Sequence, residues 1–271
     1  MAARGRGRNE KYSLPWLWGT TGIAYDKTKV STPPTRWGDL WSPNYAGHVV
    51  LLDDAREMFG IAMLAAGHPK NDTDPEHIAA AKGKLTELAQ GALALDANGS
   101  ERYFADGSAT IGALFNGNAA LAMRANPDVA WALPEDGGGI WFDNLAIPAR
   151  ARHPDAAMAL MDHLLSAESG EAVIRELPFS NPNDAAIAKL KADDPTAWAA
   201  YTGNPATSPG QDALSGLQMV KNIGPANNAA IERAWAEVAA SRPPPPPPRP
   251  PEPPAPGPAA EPNPAPAGGT P

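Results

Sequence analysis

Strand-like runs alternate with capped helical segments along most of this chain, and this alternation restricts its fold more than any other feature. Four segments with helical periodicity follow a capping residue or a proline: 55–66, 76–90, 155–169 and 226–241. Four short apolar runs between them predict strands: 48–52, 109–115, 128–133 and 144–148. We find no internal repeat. Strands alternating with helices indicate an α/β fold.

The two ends of the chain differ from this body. The last 29 residues hold 16 of the 32 prolines, and proline lacks the N–H that helices and sheets need. We expect residues 242–271 to form a disordered proline-rich tail. A spacer or a non-functional extension is favoured, and a ligand for an aromatic-lined groove is the alternative. Residues 1–11 have a basic start without an apolar stretch, which predicts a disordered leader and not an export signal as written.

Charge and motifs exclude several classes of function. The net charge of −8 argues against nucleic acid or an anionic membrane surface as a partner and suits a cationic one. No apolar run is long enough to span a bilayer. The chain lacks cysteine, a P-loop, a dinucleotide-binding glycine motif and a serine elbow, and its five histidines are not spaced as metal ligands. We therefore expect no enzyme activity, metal or cofactor.

The segment LLDDAREMF (51–59) carries two carboxylates at the junction of a predicted strand and helix. Asp54 and Glu57 have the spacing of an N-terminal capping box, which favours a purely structural role. The alternative is a carboxylate pair at the carboxyl end of a strand, where ligand crevices of α/β proteins form.

The segment GIWFDN (139–144) places two aromatic residues beside a carboxylate. Strand alternation predicts that Trp141 and Asp143 share one face and that Phe142 points to the other. An indole face next to a carboxylate suits an ammonium group, through cation–π attraction and a charge-assisted hydrogen bond. Burial of the aromatic residues in a core is the simpler alternative.

Five segments, taken in order, resemble the spermidine/putrescine-binding proteins that feed polyamine ABC transporters. They are YSLPWLWGTTGIAYD (12–26), RWGDLWSPNYAGHVVLLDDAREMFG (36–60), ALFNGNAALA (113–122), LPEDGGGIWFDNLAIPA (133–149) and FSNPNDAA (179–186). The resemblance implies a noncatalytic periplasmic or extracytoplasmic protein that binds putrescine or spermidine and delivers it to a membrane permease.

The resemblance also implies which residues bind the ligand. Carboxylates matching Asp54, Glu57 and Asp143 hold the ligand's amino groups, and the position of Trp141 packs along its methylene chain. The family uses further aromatic residues where this chain has Phe115, usually Trp in the family, and Phe179, often Tyr. Gln218 is the candidate for a family glutamine in the last segment.

The family fold is a type II periplasmic-binding-protein fold with two α/β lobes joined by crossing strands. By correspondence, residues 12–18 form a crossover, 19–141 and 189–241 form the second lobe, and 142–188 are a remnant of the first. Most of the first lobe is expected to be missing. We therefore expect exposed apolar surface on the remnant and weak or no polyamine binding by this chain alone. The alternatives are a binding protein for another small ligand and an interaction protein that acts through the proline-rich tail.

Overall fold

The computed structural model describes residues 12–243, so the expected leader and residues 244–271 of the expected tail lie outside the described residues. The strands are β1 (Leu14–Asp26), β2 (Val49–Leu51), β3 (Ala92–Leu95), β4 (Ile111–Phe115), β5 (Val129–Ala132), β6 (Gly138–Leu145) and β7 (Leu217–Met219). The helices are α1 (Ala55–Ala65), α2 (Pro75–Gln90), α3 (Glu101–Ala105), α4 (Asn116–Ala125), α5 (Pro154–Leu164), α6 (Ala167–Glu176), α7 (Asp184–Asp193), α8 (Pro195–Gly203) and α9 (Pro225–Ala240).

The described strands form one mixed sheet around β1. The order is β3-β2-β4-β1-β6-β7, with β5 also paired to β1. β4 pairs antiparallel with Thr21–Tyr25 on one edge of β1. On the other edge, β6 pairs antiparallel with Leu14–Thr21, and β5 with Ile23–Asp26. The 13-residue strand β1 therefore pairs directly with β4, β5 and β6. Strands β2 and β7 are each separated from β1 by one neighbouring strand.

The two faces of the sheet are covered by different helices. Helices α1, α2 and α9 contribute the buried cluster on one face, where Ile23 and Ile111 are fully enclosed. The other face holds a second cluster that includes Ala24, Leu114 and residues of α4. Both faces of the central strands are buried, which explains why their sequences read as nearly continuous apolar runs.

Helices α6, α7 and α8 pack on one another around a small core of Ile174, Ala186, Leu190 and Tyr201. α7 runs without interruption through the boundary that we expected between residues 188 and 189. α5 buries only Met161 and leaves Met158 and Leu160 about half exposed, as is Phe142 on β6. Apolar surface is thus concentrated on the part of the chain that follows Trp141.

Two predicted elements are wrong in their bounds. The strand expected at 144–148 is instead β6, which begins six residues earlier, at Gly138. The helix expected over 155–169 is two helices, α5 and α6, because the Ser166 hydroxyl accepts a hydrogen bond from the backbone N–H of Ser169 and starts a new helix. The helices expected at 55–66, 76–90 and 226–241 form within one residue of their predicted ends.

None of the helices within residues 12–243 has the combined length and apolar character needed to cross a bilayer.

Arg242, expected as the first residue of the tail, donates hydrogen bonds to the carbonyls of Ala92 and Leu93 on the β3 edge, both at 3.2 Å. Arg242 therefore belongs to the folded body.

Trp37 anchors the loop before β2 to the turn before β6. Its side chain is fully buried, and its indole Nε1 donates to the carbonyl of Gly137 at 2.8 Å. We expect Trp37→Ala to lower the free energy of unfolding by about 3–5 kcal/mol, through lost apolar burial and a residual cavity. Urea denaturation would measure it. Trp41→Ala, at a partly exposed position four residues on, is the matched control, and an equal loss there would contradict this ranking.

Candidate ligand-binding site

β6 carries the first two candidate ligand residues on one face. Register with β1 pairs Gly19 with Trp141, Trp18 with Phe142 and Leu17 with Asp143. Strand alternation puts Trp141 and Asp143 on the same side. Phe142 stacks on Trp18, with ring centroids 6.3 Å apart. We call the side of β6 that carries Gly139, Trp141 and Asp143 the site face.

Three aromatic rings meet at Trp141. Phe115, at the end of β4, contacts the indole edge-on at 5.9 Å between centroids, and Phe179 does so at 5.5 Å. Glycine at position 19 permits this arrangement, because a Cβ there would collide with the indole of Trp141. We call Phe115, Trp141 and Phe179 the aromatic cluster. Within the described part of the chain, the buried indole Nε1 of Trp141 has no hydrogen-bond acceptor.

Asp143 follows the aromatic cluster along the site face and is exposed. Its carboxylate has no hydrogen-bond or ion-pair partner among residues 12–243. Desolvation by the surrounding chain raises the pKa of Asp143 above the ordinary value for a carboxyl group. A partly desolvated carboxylate without a counter-charge is a suitable acceptor for a cationic ligand.

Asp54 has the capping role that the sequence offered as its structural alternative. Its Oδ1 accepts a hydrogen bond from the backbone N–H of Glu57 at 2.9 Å, and α1 begins at the next residue. Glu57 does not complete the capping box. Its side chain turns into the protein, where only 5% of it is exposed.

Glu57 forms a buried ion pair with Lys70, a residue that sequence reasoning missed. Lys70 Nζ lies 2.8 Å from Glu57 Oε2, and 1% of the lysine side chain is exposed. A Cβ at Gly139 would lie 2.8 Å from Glu57 Oε2 and 3.1 Å from Lys70 Nζ. Glycine at this position is therefore required for the ion pair to approach the site face, which explains a glycine inside β6.

Backbone and amide contacts fix the loop that carries Lys70. The backbone N–H of Lys70 donates to Gln218 Oε1 at 3.1 Å, so the side chain of this candidate ligand residue is already engaged. Asn71 donates to the carbonyl of Met219 and accepts from the backbone N–H of Lys221, at 2.9 and 2.8 Å. The loop and the β7 segment therefore hold each other in place.

Phe179 is supported from behind by Tyr201, which lies on α8. The Tyr201 hydroxyl donates to the carbonyl of Phe179 and accepts from the backbone N–H of Asn181, both at 2.9 Å. Burial raises the pKa of Tyr201 to about 12, so the hydroxyl remains protonated and can keep donating. Tyr201 is a positioning residue that no local sequence pattern indicated.

Two of the six candidate residues share a cavity that the other four do not line. Asp54 and Glu57 line a cavity of about 520 Å³ together with Arg56, Glu232 and Trp235. The aromatic cluster and Asp143 lie outside it. What connects the two groups is β6, because Glu57 contacts the site face at Gly139, two residues before Trp141 and four before Asp143.

His68, Asp72 and His77 also come together, although their spacing did not suggest a metal site. His77 Nδ1 lies 2.9 Å from Asp72 Oδ2, and this contact raises the pKa of His77. The pKa of Asp72 is lowered first by a hydrogen bond from the backbone N–H of Asp74 and then by the contact with His77. The two imidazole rings stack at 3.7 Å with planes 19° apart. A metal ion in the plane of one ring would lie outside the plane of the other, so the rings as placed do not converge on one ion.

The Glu57–Lys70 pair should dominate the stability of this region. We expect Lys70→Met or Glu57→Gln alone to lower the free energy of unfolding by about 3 kcal/mol, because each leaves an uncompensated buried charge. The double variant should lose much less than the sum, as measured by a double-mutant cycle in urea. Lys84→Met, which breaks the exposed Lys84–Glu87 pair, should be nearly neutral. Additive effects at positions 57 and 70 would contradict coupling.

Sequence comparisons with known proteins show which proteins this chain resembles. The chain is 36% identical over 181 residues to the spermidine/putrescine-binding periplasmic protein of Escherichia coli K12, covering 66% of this chain and 51% of that protein. It is 32% identical over 220 residues to spermidine/putrescine-binding periplasmic protein 1 of Haemophilus influenzae, covering 81% of this chain and 59% of that protein. The chain thus spans between half and three fifths of these relatives.

Solved structures give the same result for the fold. A putative spermidine/putrescine ABC transporter from Listeria monocytogenes superposes with a TM-score of 0.77 at 27% identity, covering 85% of this chain and 69% of that one. The substrate-binding protein PotD of Streptococcus pneumoniae gives 0.69 at 25% identity, covering 86% and 70%. The predicted α/β fold of the type II periplasmic binding proteins is confirmed.

A sequence model for the family described as bacterial extracellular solute-binding protein matches residues 5–201. This match takes in β1 through most of α8 and therefore includes every element of the aromatic cluster and the Glu57–Lys70 pair. The chain belongs to the family of bacterial extracellular solute-binding proteins.

Proposed function

We propose that this chain is the polyamine-binding subunit of an ABC transporter, and that it holds an ammonium group of putrescine or spermidine at Asp143. The observation that carries the proposal is the partly desolvated carboxylate of Asp143, which follows the aromatic cluster on one strand face and has no partner among residues 12–243. Polyamines alternate ammonium groups with methylene segments. A carboxylate next to aromatic walls matches one such repeat.

The energetics of this arrangement suit a reversible binder. A cation over an indole face gains roughly 0.5–2 kcal/mol, depending on how far both are desolvated. A charge-assisted hydrogen bond to Asp143 adds direction, and the rings of Phe115 and Phe179 offer apolar surface to the methylenes. The site requires no bond to be made or broken in the ligand.

The relatives support the same proposal. The matching proteins from Escherichia coli and Haemophilus influenzae are named as spermidine/putrescine-binding and periplasmic. We infer that this chain acts outside the cytoplasmic membrane and passes its ligand to a membrane permease. These activities remain proposals for this chain, which covers about half of the first relative.

One observation favours a different small ligand as the second candidate. Lys70 already neutralises Glu57, so the site face offers fewer free negative charges than the resemblance implied. A ligand with fewer positive charges than spermidine would match this balance better. A screen that includes monoamines, amino acids and sugars beside the polyamines separates the two candidates.

Calorimetric titration tests the amine site directly. We expect putrescine and spermidine to bind more weakly than micromolar, less favourably than about −8 kcal/mol, because Asp143 is open to solvent and Glu57 is already paired. Asp143→Asn should remove most of the binding. Asp162→Asn, on the exposed side of α5, is the control with the same charge change. Micromolar binding would contradict the expected weakness, and unchanged affinity of Asp143→Asn would contradict the site.

Asp143 should also oppose stability at neutral pH. Because its folded-state pKa is raised, its ionised form is less favourable in the folded chain than in the unfolded one. This cost is present above the folded pKa and disappears as the pH falls below the unfolded pKa. We therefore expect Asp143→Asn to raise the melting temperature at pH 7 and to change it little at pH 3. A variant less stable than the wild type at pH 7 would contradict this sign.

A further inference from the structure

Lys70 presents its buried ammonium group to Glu57, as a bound amine would. Its side chain is almost completely buried, and within residues 12–243 its ammonium donates a hydrogen bond only to Glu57. An ammonium can donate three hydrogen bonds, and lysine is seldom buried without a counter-charge. The burial of Lys70 is therefore explained by the carboxylate that it neutralises.

The ion pair lies in line with the amine site. Glu57 Oε2 and Lys70 Nζ approach the site face at Gly139. Given the rise of an antiparallel strand, Gly139 lies about 7 Å from Trp141 and about 14 Å from Asp143 along β6. The ammonium groups of putrescine are only about 6 Å apart, as its bond lengths require. Only a chain as long as spermidine, with one ammonium at Asp143, would therefore pass Trp141 and bring its far ammonium to this pair.

The loop geometry holds Lys70 in this position. Its backbone N–H is bound by Gln218, and its neighbour Asn71 is bound to the backbone on either side of residue 220. A Cβ at Gly60 would lie 2.7 Å from the Lys70 Cγ, so the stem of the side chain packs closely against α1. The ammonium is thus placed by the fold and is not a mobile surface charge.

We propose that Lys70 occupies the Glu57 end of the binding face as a built-in competitor, so that this chain favours short amines such as putrescine over spermidine. This inference rests on the proposed amine site at Asp143. The far ammonium of spermidine near Glu57 would meet the like charge of Lys70 at short range, in surroundings where screening by water is weak. It would have to displace Lys70 from a buried carboxylate or remain unpaired.

The test compares matched amines on matched lysine variants. Calorimetry would measure the affinities of n-butylamine, putrescine and spermidine for the wild type, Lys70→Ala and Lys84→Ala. We expect the ratio of spermidine to butylamine affinity to rise at least tenfold in Lys70→Ala, and the ratio of putrescine to butylamine affinity to change little. Both ratios should stay unchanged in Lys84→Ala, which makes the same charge change at an exposed position. Adding Glu57→Gln to Lys70→Ala should abolish the gain.

Refolding provides a second readout if Lys70→Ala is unstable alone. The variant, diluted from urea, should recover its native circular dichroism in spermidine but not in putrescine or butylamine at equal ionic strength. Equal recovery in all three, or an unchanged ratio of spermidine to butylamine affinity, would overturn the role of Lys70 while leaving the amine site intact. Failure of every amine to bind the wild type and the variants would overturn the proposed function, and this inference with it.

Discussion

Continuous backbone pairing along β1 is the constraint on which the rest of this structure depends. The strand is paired on both edges over much of its length, to β4 on one side and to β6 and β5 on the other. Its second half lies between two layers of helices, and its first half continues beyond them. The register between β1 and β6 therefore determines where Trp141 and Asp143 lie relative to the packed core.

The candidate site is the continuation of one core face past the end of its covering helices. Near Ile23 that face is closed by α1, whereas at Gly19 and Gly139 it carries no side chain of its own. The indole of Trp141 fills the first gap, and the Glu57–Lys70 pair approaches through the second. Two glycines thus decide which large groups reach the binding face, which local propensity alone would not reveal.

Local signals in the sequence predicted most of what depends on neighbours in the chain. Asp54 caps α1 as expected, and strand alternation gives the shared face of Trp141 and Asp143. The start of β6 was missed because glycine has low strand propensity, and here the reason for it is the close approach of Glu57. The division between α5 and α6 was missed because Ser166 was taken as an interior helical residue.

The electrostatic state of the site could not have been predicted from either the motif or the resemblance. The resemblance implies a ligand carboxylate at Glu57, yet the partner of Glu57 is Lys70, 13 residues away in a loop without helical or strand periodicity. A motif match transfers residue types to positions, whereas binding depends on the charge that remains after internal pairing. Among residues 12–243 that balance leaves Asp143 as the carboxylate of the site face without a partner, and our proposal therefore makes ligand preference depend on the loop after α1 as well as on the residues that the motif identifies.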